Sequence, residues 1–382
     1  MHSIGTMISE QLEYKPAEIY VIEHVRPKYA CKCCRQGVVT APMPAQPIEK
    51  GVAGPGLLAQ ILIDKYADHL PLYRQQQRFN RVGIDLHRST LCDWVAQCAN
   101  LLAPIVELMK TDGILPWGRI FTDDTTVQIS MPGKGKTHTG RMWAYVGGSE
   151  DTANCVVYEY TSTRSHAGPL AFLKTYQGFI HADAYAGYDI LFKDPHRIEV
   201  GCWAHARRKF FEITLTVKAP SLAHQAVELI GQLYTVEHAA SDLSTEQRKY
   251  YRRFHSKPIL KRIRSWLAKQ QKRCPPQSPL GKAIAYVINH WQALCAYCRD
   301  GNLKIDNNTA ERAMKALVVG RKNWLFFGSE LGARNGAILY SLIETCKLNN
   351  INPLAYLTDA LRRLPTLLNK DLHLLLPYRW KI

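Results

Sequence analysis

The hydrophobic pattern first divides the N-terminal third of the chain. Residues 1–40 alternate in short extended pieces such as AEIYVIEHV, and residues 41–56 are rich in Pro and Gly, which predicts a linker. Residues 57–110 carry helical patterns, interrupted by a Gly-centred turn at VGIDLHRST with Ser89 or Thr90 as the expected N-cap. A helix, a short turn and a capped helix predict a small helical domain of helix-turn-helix type.

The next segment, residues 115–204, favours strands. GRIFTDDTTVQIS, RMWAYVGGS and ANCVVYEYTST are three strand-like runs, followed by the helical SHAGPLAFLKTY and the strands GFIHAD and HRIEVGCWA. This order predicts an α/β fold with a mixed sheet and helices packed on it. It is compatible with a ribonuclease-H-like core, and other α/β arrangements fit the same order.

Helical patterns return after the predicted sheet. Residues 205–300 predict a large all-helical insertion, which includes the basic run SKPILKRIRSWLAKQQKR with seven Lys or Arg and no acid. Such a run is either a solvated face or an amphipathic helix that lies along DNA. Residues 301–345 predict a further core helix that begins at NNTAERAMKALVV, and residues 346–382 predict a C-terminal helical segment.

Charge changes this picture of an ordinary folded chain. The sequence is 46% hydrophobic, yet it holds 49 Lys and Arg against 32 Asp and Glu, a formal net charge of +17. Such an excess favours a polyanionic partner, because neutralised phosphates release condensed counterions. Nucleic acid is the first candidate and an anionic membrane surface the second; a merely basic protein is the remaining alternative.

The cellular setting follows from what the sequence lacks. We find no apolar run near the roughly 20 residues that cross a bilayer, and the first residues lack the plan of a secretory signal. The eleven cysteines have irregular spacing, unlike a secreted disulfide framework. We therefore expect a cytoplasmic protein and no membrane partner.

Three acids stand out as candidates for chemistry. Asp123 and Asp183 each follow a short apolar run, where a carboxylate emerges from the end of a central strand, and Glu311 lies in the first turn of a predicted helix. Three converging carboxylates repel one another unless a cation neutralises them, and hard oxygen ligands select Mg²⁺ or Mn²⁺. Two such ions about 3.5–4 Å apart support in-line attack on a phosphodiester.

Each acid also has a plain structural alternative. Asp123 could cap or solvate a strand end, and Asp183 could be a turn residue before AYAGY. Asn308 and Glu311 are spaced nearly as in a capping box. From spacing alone, capping is favoured for Glu311.

Longer motifs carry a resemblance to a known family. The segments GCWAHARRKF, HLPLYRQQQRF and KIDNNTAERAMKALVVGRKNWLFFGSELGARNGAILYSLIETCKLNNINPLAYL closely resemble transposases of the insertion-sequence-66 family, over nearly the whole chain. The resemblance implies a ribonuclease-H-like core with a DDE active site and a helical insertion before the glutamate. It also implies Mg²⁺ or Mn²⁺, cleavage at transposon ends, and strand transfer into target DNA.

The resemblance assigns the acids residue by residue. The two aspartates match Asp123 in TDDTTV, where the family usually has Asp-Glu-Thr-Pro, and Asp183 in ADAYAGY, while the glutamate matches Glu311 in NNTAER. The partners it implies are transposon-end and target DNA, further copies of the chain on DNA, and companion proteins of the element, in a bacterial nucleoid. Basic residues expected to contact DNA are Arg78, Arg81, Arg88, Arg207, Arg208, Arg321, Lys322 and the 257–273 run.

The cysteines give weaker signals. Cys202 and His205 resemble a Cys-x-x-His element that we expect to position the active-site edge, because a zinc site needs about four ligands. Cys295 and Cys298 predict buried apolar thiols. At the N-terminus, longer family members resemble a zinc element of two CxxC pairs, of which this chain shows only the second, Cys31 to Cys34. We therefore expect no structural zinc there.

Two other functions fit parts of the pattern. The chain could be a catalytically incompetent transposase remnant that only binds DNA, or a ribonuclease that acts on RNA–DNA hybrids. The presence of all three acids favours the enzyme, and the shortened N-terminal pattern favours the remnant.

Overall fold

The computed structural model describes residues 7–14, 18–31, 33, 37–148 and 154–381, and the chain divides into two compact units after Ala45. The smaller unit contains the antiparallel strands β1 (Lys28–Ala30) and β2 (Val38–Thr40). Large apolar side chains of this unit, including Ile19, Val21 and Val25, are exposed. Within the described part of residues 1–40, strand pairing is found at Lys28–Ala30 and Val38–Thr40.

A five-stranded mixed sheet forms the centre of the larger unit. Its strands stand in the order β5-β4-β3-β6-β7. Within this sheet, β3 and β4 are antiparallel neighbours, and so are β4 and β5. Strand β6 runs parallel to β3, and β7 runs parallel to β6. The strands are β3 (Arg119–Met131), β4 (Lys136–Gly147), β5 (Cys155–Thr161), β6 (Gly178–Ala182) and β7 (Arg197–Gly201). The predicted α/β class, mixed sheet and strand positions are confirmed.

Three helices precede the sheet. They are α1 (Pro55–Tyr66), α2 (Leu72–Arg81) and α3 (Arg88–Met109). Gly83 has a φ of +80° in the turn after α2, a backbone conformation that a glycine adopts without strain. The expected N-cap at Ser89 or Thr90 is wrong, because the His87 side chain caps α3 by accepting a hydrogen bond from the Ser89 amide.

Helices that precede the sheet in the sequence and helices that follow it share one hydrophobic core with the sheet. After the short α4 (Ala167–Phe172), the chain returns to this core with α10 (Asn308–Trp324), α11 (Glu330–Leu348) and α12 (Pro353–Arg363). The helix α11 packs on α3 and β5, and α1 packs on α12. The first three helices therefore bury their apolar faces against the C-terminal helices and the sheet.

The segment predicted as a helical insertion contains five helices in the structure, and these helices bury a second apolar cluster together with Val200 of β7. Successive helices of this segment pack on one another. At its centre, Arg252 is 1% exposed, pairs with Glu237 at 2.5 Å and donates to three backbone carbonyls. The helices are α5 (Trp203–Thr214), α6 (Leu222–Ala239), α7 (Thr245–Gln271), α8 (Pro279–Asn289) and α9 (Trp291–Cys295).

One stretch passes a length and composition test for a membrane span. It runs from Arg88 to Ile114, through α3 and the turn after it, and 44% of its most apolar window is buried inside the protein. The expectation that the sequence contains no apolar run of that length is wrong for this stretch. Its buried residues, among them Trp94, Leu102 and Ile105, belong to the core shared with the sheet.

Candidate active site

Two neighbouring acids on β3 have opposite surroundings. Side chains alternate between the faces of a strand, so Asp123 and Asp124 point to different sides of the sheet. The Asp124 side chain is 1% exposed and accepts hydrogen bonds at 2.9 Å from both Arg141 and Arg164. Asp124 is therefore a structural anion, fixed between two arginines that the sequence analysis did not single out.

Asp123 has no such cation partner among the described residues. Its carboxylate accepts one hydrogen bond, from the amide of Asp124, at 2.8 Å. Burial, with smaller contributions from Asp183, Asp124 and Glu311, raises the pKa of Asp123 to about 7. A desolvated carboxylate that is short of positive charge fits a cation ligand better than a strand cap.

The parallel register brings Asp183 to the same edge of the sheet. Phe121 pairs with His181 in the parallel ladder, and Asp183 follows two residues later, just past the end of the strand next to β3. Asp183 follows the end of β6 and accepts a hydrogen bond from the Tyr185 amide at 3.2 Å. The turn role considered for Asp183 is thus present, and it occupies one carboxylate oxygen.

The backbone next to Asp183 is strained. Ala184 has a φ of +62°, which costs an alanine roughly 1–2 kcal/mol. Tyr185 then packs its ring 3.8 Å from the Arg164 guanidinium and donates its hydroxyl to the carbonyl of Arg164. These contacts hold the unfavourable turn and fix where Asp183 leaves the sheet.

Three backbone contacts fix the start of α10 at this edge. Asn307, which is 1% exposed, donates its side-chain amide to the carbonyl of Thr122 at 2.9 Å. Its backbone amide donates to Cys202 Sγ at 3.3 Å, and the Trp203 amide donates to the carbonyl of Ile305 at 3.1 Å. The helix that carries Glu311 is therefore anchored one residue from Asp123.

Glu311 does not act as a cap. No side chain caps the start of α10, so the capping alternative is wrong. The Glu311 atom Oε1 is buried without a hydrogen-bond partner and lies 3.7 Å from His205 Nδ1. The tertiary structure thus turns this carboxylate toward other potential ligands.

The closest ligand cluster contains only one of the three predicted acids. Within the described part of the chain, the group of three or more His, Cys, Asp or Glu ligand atoms that all lie within 4.8 Å of one another is Cys202, His205 and Glu311. Asp123 and Asp183 lie near enough to influence each other electrostatically. Cys202 is buried, which raises the pKa of its thiol to about 11.

A basic cleft adjoins this cluster. It has a volume of about 490 Å³ and lies between α5, α6 and the residues that begin α10. Arg207, Arg208 and Phe211 line one side, and Tyr234 lines the other. Arg207 and Arg208, both proposed from the sequence, therefore border a cavity that also contacts the start of α10 at Asn308.

The other basic residues predicted to contact DNA have varied settings. Arg78 pairs with the buried Asp64 at 2.5 Å, and the Arg321 guanidinium donates to Thr125 Oγ1 and to the carbonyl of Thr126. Both arginines thus have structural partners. Exposed side chains belong to Arg81, Arg88 and Lys322.

The two cysteine pairs considered from the sequence, Cys295 with Cys298 and Cys31 with Cys34, differ in what the structure describes of them. Cys295 and Cys298 are half-buried, and burial raises the pKa of both thiols, to about 12 and about 11. Cys31 is exposed beside β1, whereas Cys34 lies outside the described residues. The sequence interpretation of Cys31 and Cys34 therefore stays a prediction.

Comparison with protein families decides the relationship of the chain. The model described as "Transposase IS66 family" matches residues 50–335, which include all three acids and the helical insertion. The chain belongs to the IS66 transposase family. The family's zinc-finger binding domain matches residues 1–35, and its C-terminal element matches residues 341–378.

Similar proteins occur in Sinorhizobium fredii (strain NBRC 101917 / NGR234). The uncharacterized protein y4hP is 34% identical over 402 residues, which cover 100% of this chain and 72% of the relative. The uncharacterized protein y4jD is 34% identical over 395 residues, with 100% and 76% covered. The relatives thus share the whole length of this IS66 transposase-family chain.

Proposed function

We propose that this member of the IS66 transposase family cleaves DNA at transposon ends and transfers the strands into target DNA. Asp123, Asp183 and Glu311 are the proposed ligands of two Mg²⁺ or Mn²⁺ ions. The observation that carries the proposal is that β3, the end of the adjacent β6 and a helix that packs on β3 carry the three acids. Burial, with smaller contributions from Asp183, Asp124 and Glu311, raises the pKa of Asp123 to about 7. Family membership supports a transposing enzyme at the general level.

The sheet supports a ribonuclease-H-like core as part of this proposal. Three antiparallel strands are followed by two parallel ones, in the order β5-β4-β3-β6-β7. The two proposed aspartates lie on β3 and after β6, which are adjacent, and the proposed glutamate lies on a helix that packs on β3. This arrangement supports the proposal that three sequence-distant acids act together, as metal-dependent phosphodiester chemistry requires.

The residues at this edge fit divalent ions. Asp123 has no cation partner within the described residues, and Glu311 Oε1 is buried without a hydrogen bond. Bound Mg²⁺ or Mn²⁺ would activate the attacking oxygen and stabilise the leaving oxygen. The protein itself holds Asp123 on a central strand, fixes Asp183 through the Tyr185 turn, and anchors Glu311 through Asn307.

Basic surfaces supply the proposed DNA contacts. The net charge of +17 favours phosphate binding, and the cleft lined by Arg207 and Arg208 is also lined by Asn308, the first residue of the helix that carries Glu311. Exposed Arg81, Arg88 and Lys322 add further positive charge. We propose that these residues position DNA without reading its sequence, that the enzyme works as an oligomer on DNA in the nucleoid, and that companion proteins assist it.

A second part of the proposal concerns zinc binding by the N-terminal unit. The match of residues 1–35 to a zinc-finger model favours zinc binding more strongly than the spacing of Cys31 and Cys34 does by itself. We propose that Cys31, Cys33 and Cys34 contribute to such a site. Zinc content measured on the purified chain, before and after Cys31→Ser, tests this part separately.

Metal-dependent nicking of DNA that carries element ends tests the main proposal. Asp183→Asn should lower the nicking rate by more than about a hundredfold, since loss of even an outer partner of a metal ligand typically costs 10- to 100-fold. Asp189→Asn, an exposed aspartate six residues later, is the matched control and should keep the rate. Equal nicking by both variants removes Asp183 from the mechanism.

The same experiment separates the alternatives. Absence of cleavage by the unaltered chain, with DNA binding intact, supports a remnant that only binds DNA. Cleavage of RNA–DNA hybrids without strand joining supports a ribonuclease.

A further inference from the structure

The first turn of α5 presents two soft ligands side by side. Cys202 is the N-cap of this helix and His205 is its third residue. Side chains at these two positions approach each other at a helix start, as in a capping box. Sγ of Cys202 accepts a hydrogen bond from the Asn307 backbone amide at 3.3 Å.

The start of α10 brings a third ligand to the same point. The contacts of Asn307 and Ile305 with Cys202 and Trp203 join the two helix starts, and Glu311 lies in the first turn of α10. His205 Nδ1 and Glu311 Oε1 are both buried, and neither has a hydrogen-bond partner. Two unsatisfied polar atoms that face each other inside a protein are costly, and a shared cation relieves both.

The distances suit one small ion. Ligands about 2.0–2.3 Å from a tetrahedral zinc lie roughly 3.3–3.8 Å from one another. His205 Nδ1 and Glu311 Oε1 are 3.7 Å apart, and all three ligand atoms lie within 4.8 Å. Side-chain shifts of about an ångström would complete the coordination.

We propose that Cys202, His205 and Glu311 form a binding site for a soft transition metal of the zinc class. A sulfur and an imidazole nitrogen select Zn²⁺ over Mg²⁺, which prefers oxygen ligands alone. Three protein ligands leave the fourth tetrahedral position open, as in sites that accept water or a phosphate oxygen. The site differs from the three-acid site in two of its three ligands.

Glu311 belongs to both sites, and this part of the inference rests on the proposed function. A carboxylate held by zinc beside His205 is withdrawn from Asp123 and Asp183. Zinc at this cluster therefore competes with the hard ions for Glu311 and lowers the Mg²⁺-dependent rate. A change of His205 should weaken this inhibition and leave the three acids in place.

Cobalt binding tests the site without requiring activity. The full chain carries Cys31→Ser, Cys33→Ser and Cys34→Ser, so that the N-terminal thiols cannot bind the probe. Titration with Co²⁺ should then give one equivalent of tetrahedral complex with a thiolate-to-cobalt absorption band, and Zn²⁺ should displace it. Adding Cys202→Ser should abolish the band, whereas Cys298→Ser, a half-buried control, should keep it.

A second variant keeps the test decisive if Cys202→Ser does not fold. His205 is partly exposed, so His205→Gln should fold, and it should weaken Co²⁺ binding by at least about tenfold. A band that is absent in the parent, or unchanged by both Cys202→Ser and His205→Gln, overturns the proposal and leaves a plain His205–Glu311 contact.

Activity measurements test whether Zn²⁺ and Mg²⁺ compete for Glu311, and they distinguish this proposal from the proposed function. Zn²⁺ should inhibit Mg²⁺-dependent nicking by the parent chain more strongly than by His205→Gln, and equal inhibition contradicts shared use of Glu311. Cobalt binding without any nicking removes the proposed function and leaves the metal site standing. Nicking without cobalt binding removes the metal site and leaves the proposed function standing.

Discussion

Replacing Asp123 by asparagine should stabilise the metal-free protein, whereas the same change at Asp124 should destabilise it. The two residues are adjacent on β3, but only Asp124 has arginine partners. Burial raises the pKa of Asp123 from 3.8 to about 7. The charged form of Asp123 is therefore disfavoured in the folded state.

The size of the effect follows from the pKa and depends on pH. Below pH 3.8 the Asp123 carboxyl is protonated in both the folded and the unfolded chain, so it does not lower the free energy of unfolding. Between pH 3.8 and about 7 the unfolded chain releases it first, so the free energy of unfolding falls as pH rises. Above about pH 7 the loss is constant at about 4 kcal/mol, since a tenfold change in proton affinity is worth about 1.4 kcal/mol.

Urea unfolding in EDTA, followed by tryptophan fluorescence from pH 5 to pH 8, measures this effect. Asp123→Asn should raise the free energy of unfolding by about 2–4 kcal/mol at pH 8, and the gain should shrink toward pH 5. Adding Mg²⁺ should stabilise the parent chain and leave the variant unchanged.

Asp124→Asn is the matched control for the amide substitution. It should lower stability by about 2 kcal/mol, less than the 3–5 kcal/mol of a fully buried ion pair, because Arg141 and Arg164 are partly exposed. Loss of stability in Asp123→Asn at pH 8, or a gain that does not vary with pH, would refute the electrostatic account of Asp123.

Three further predictions concern the insertion, α10 and the cleft. Arg252→Ala should lower the free energy of unfolding by about 3–5 kcal/mol, because it leaves Glu237 without its buried partner; chemical denaturation measures the loss. Arg321→Ala should cost about 1–2 kcal/mol through its lost bonds to β3, whereas exposed Lys322→Ala should leave the thermal midpoint unchanged, and a similar loss in both would contradict the anchoring role. Arg208→Ala should weaken binding to DNA of any sequence and reduce the slope of log affinity against log salt by about 1; an unchanged slope in a fluorescence-anisotropy titration would remove Arg208 from the phosphate contacts.

The position of Glu311 shows how local and tertiary signals can differ. Its spacing from Asn308 favours a helix cap, and capping is a local interaction that any helix start can use. The structure instead anchors the helix through Asn307 and turns Glu311 toward His205. Before the fold was known, only the resemblance to a family favoured a ligand role for Glu311 over capping.

The sequence by itself determined the local elements and the charge. Alternating apolar residues specify the strands, and helical spacing specifies the insertion, because these periods decide which side chains one face of an element can bury. Asp183 follows the end of β6, as its pattern predicted, whereas Asp123 lies within β3 and not at its end.

Only the tertiary structure decided which of these residues meet. The approach of Cys202 and His205 to Glu311 joins chain segments more than 100 residues apart, and Asp124 differs from Asp123 only through what packs on each face of the sheet. Local patterns carry no record of such long-range contacts, since burial and ion pairing depend on neighbours that the folded chain supplies.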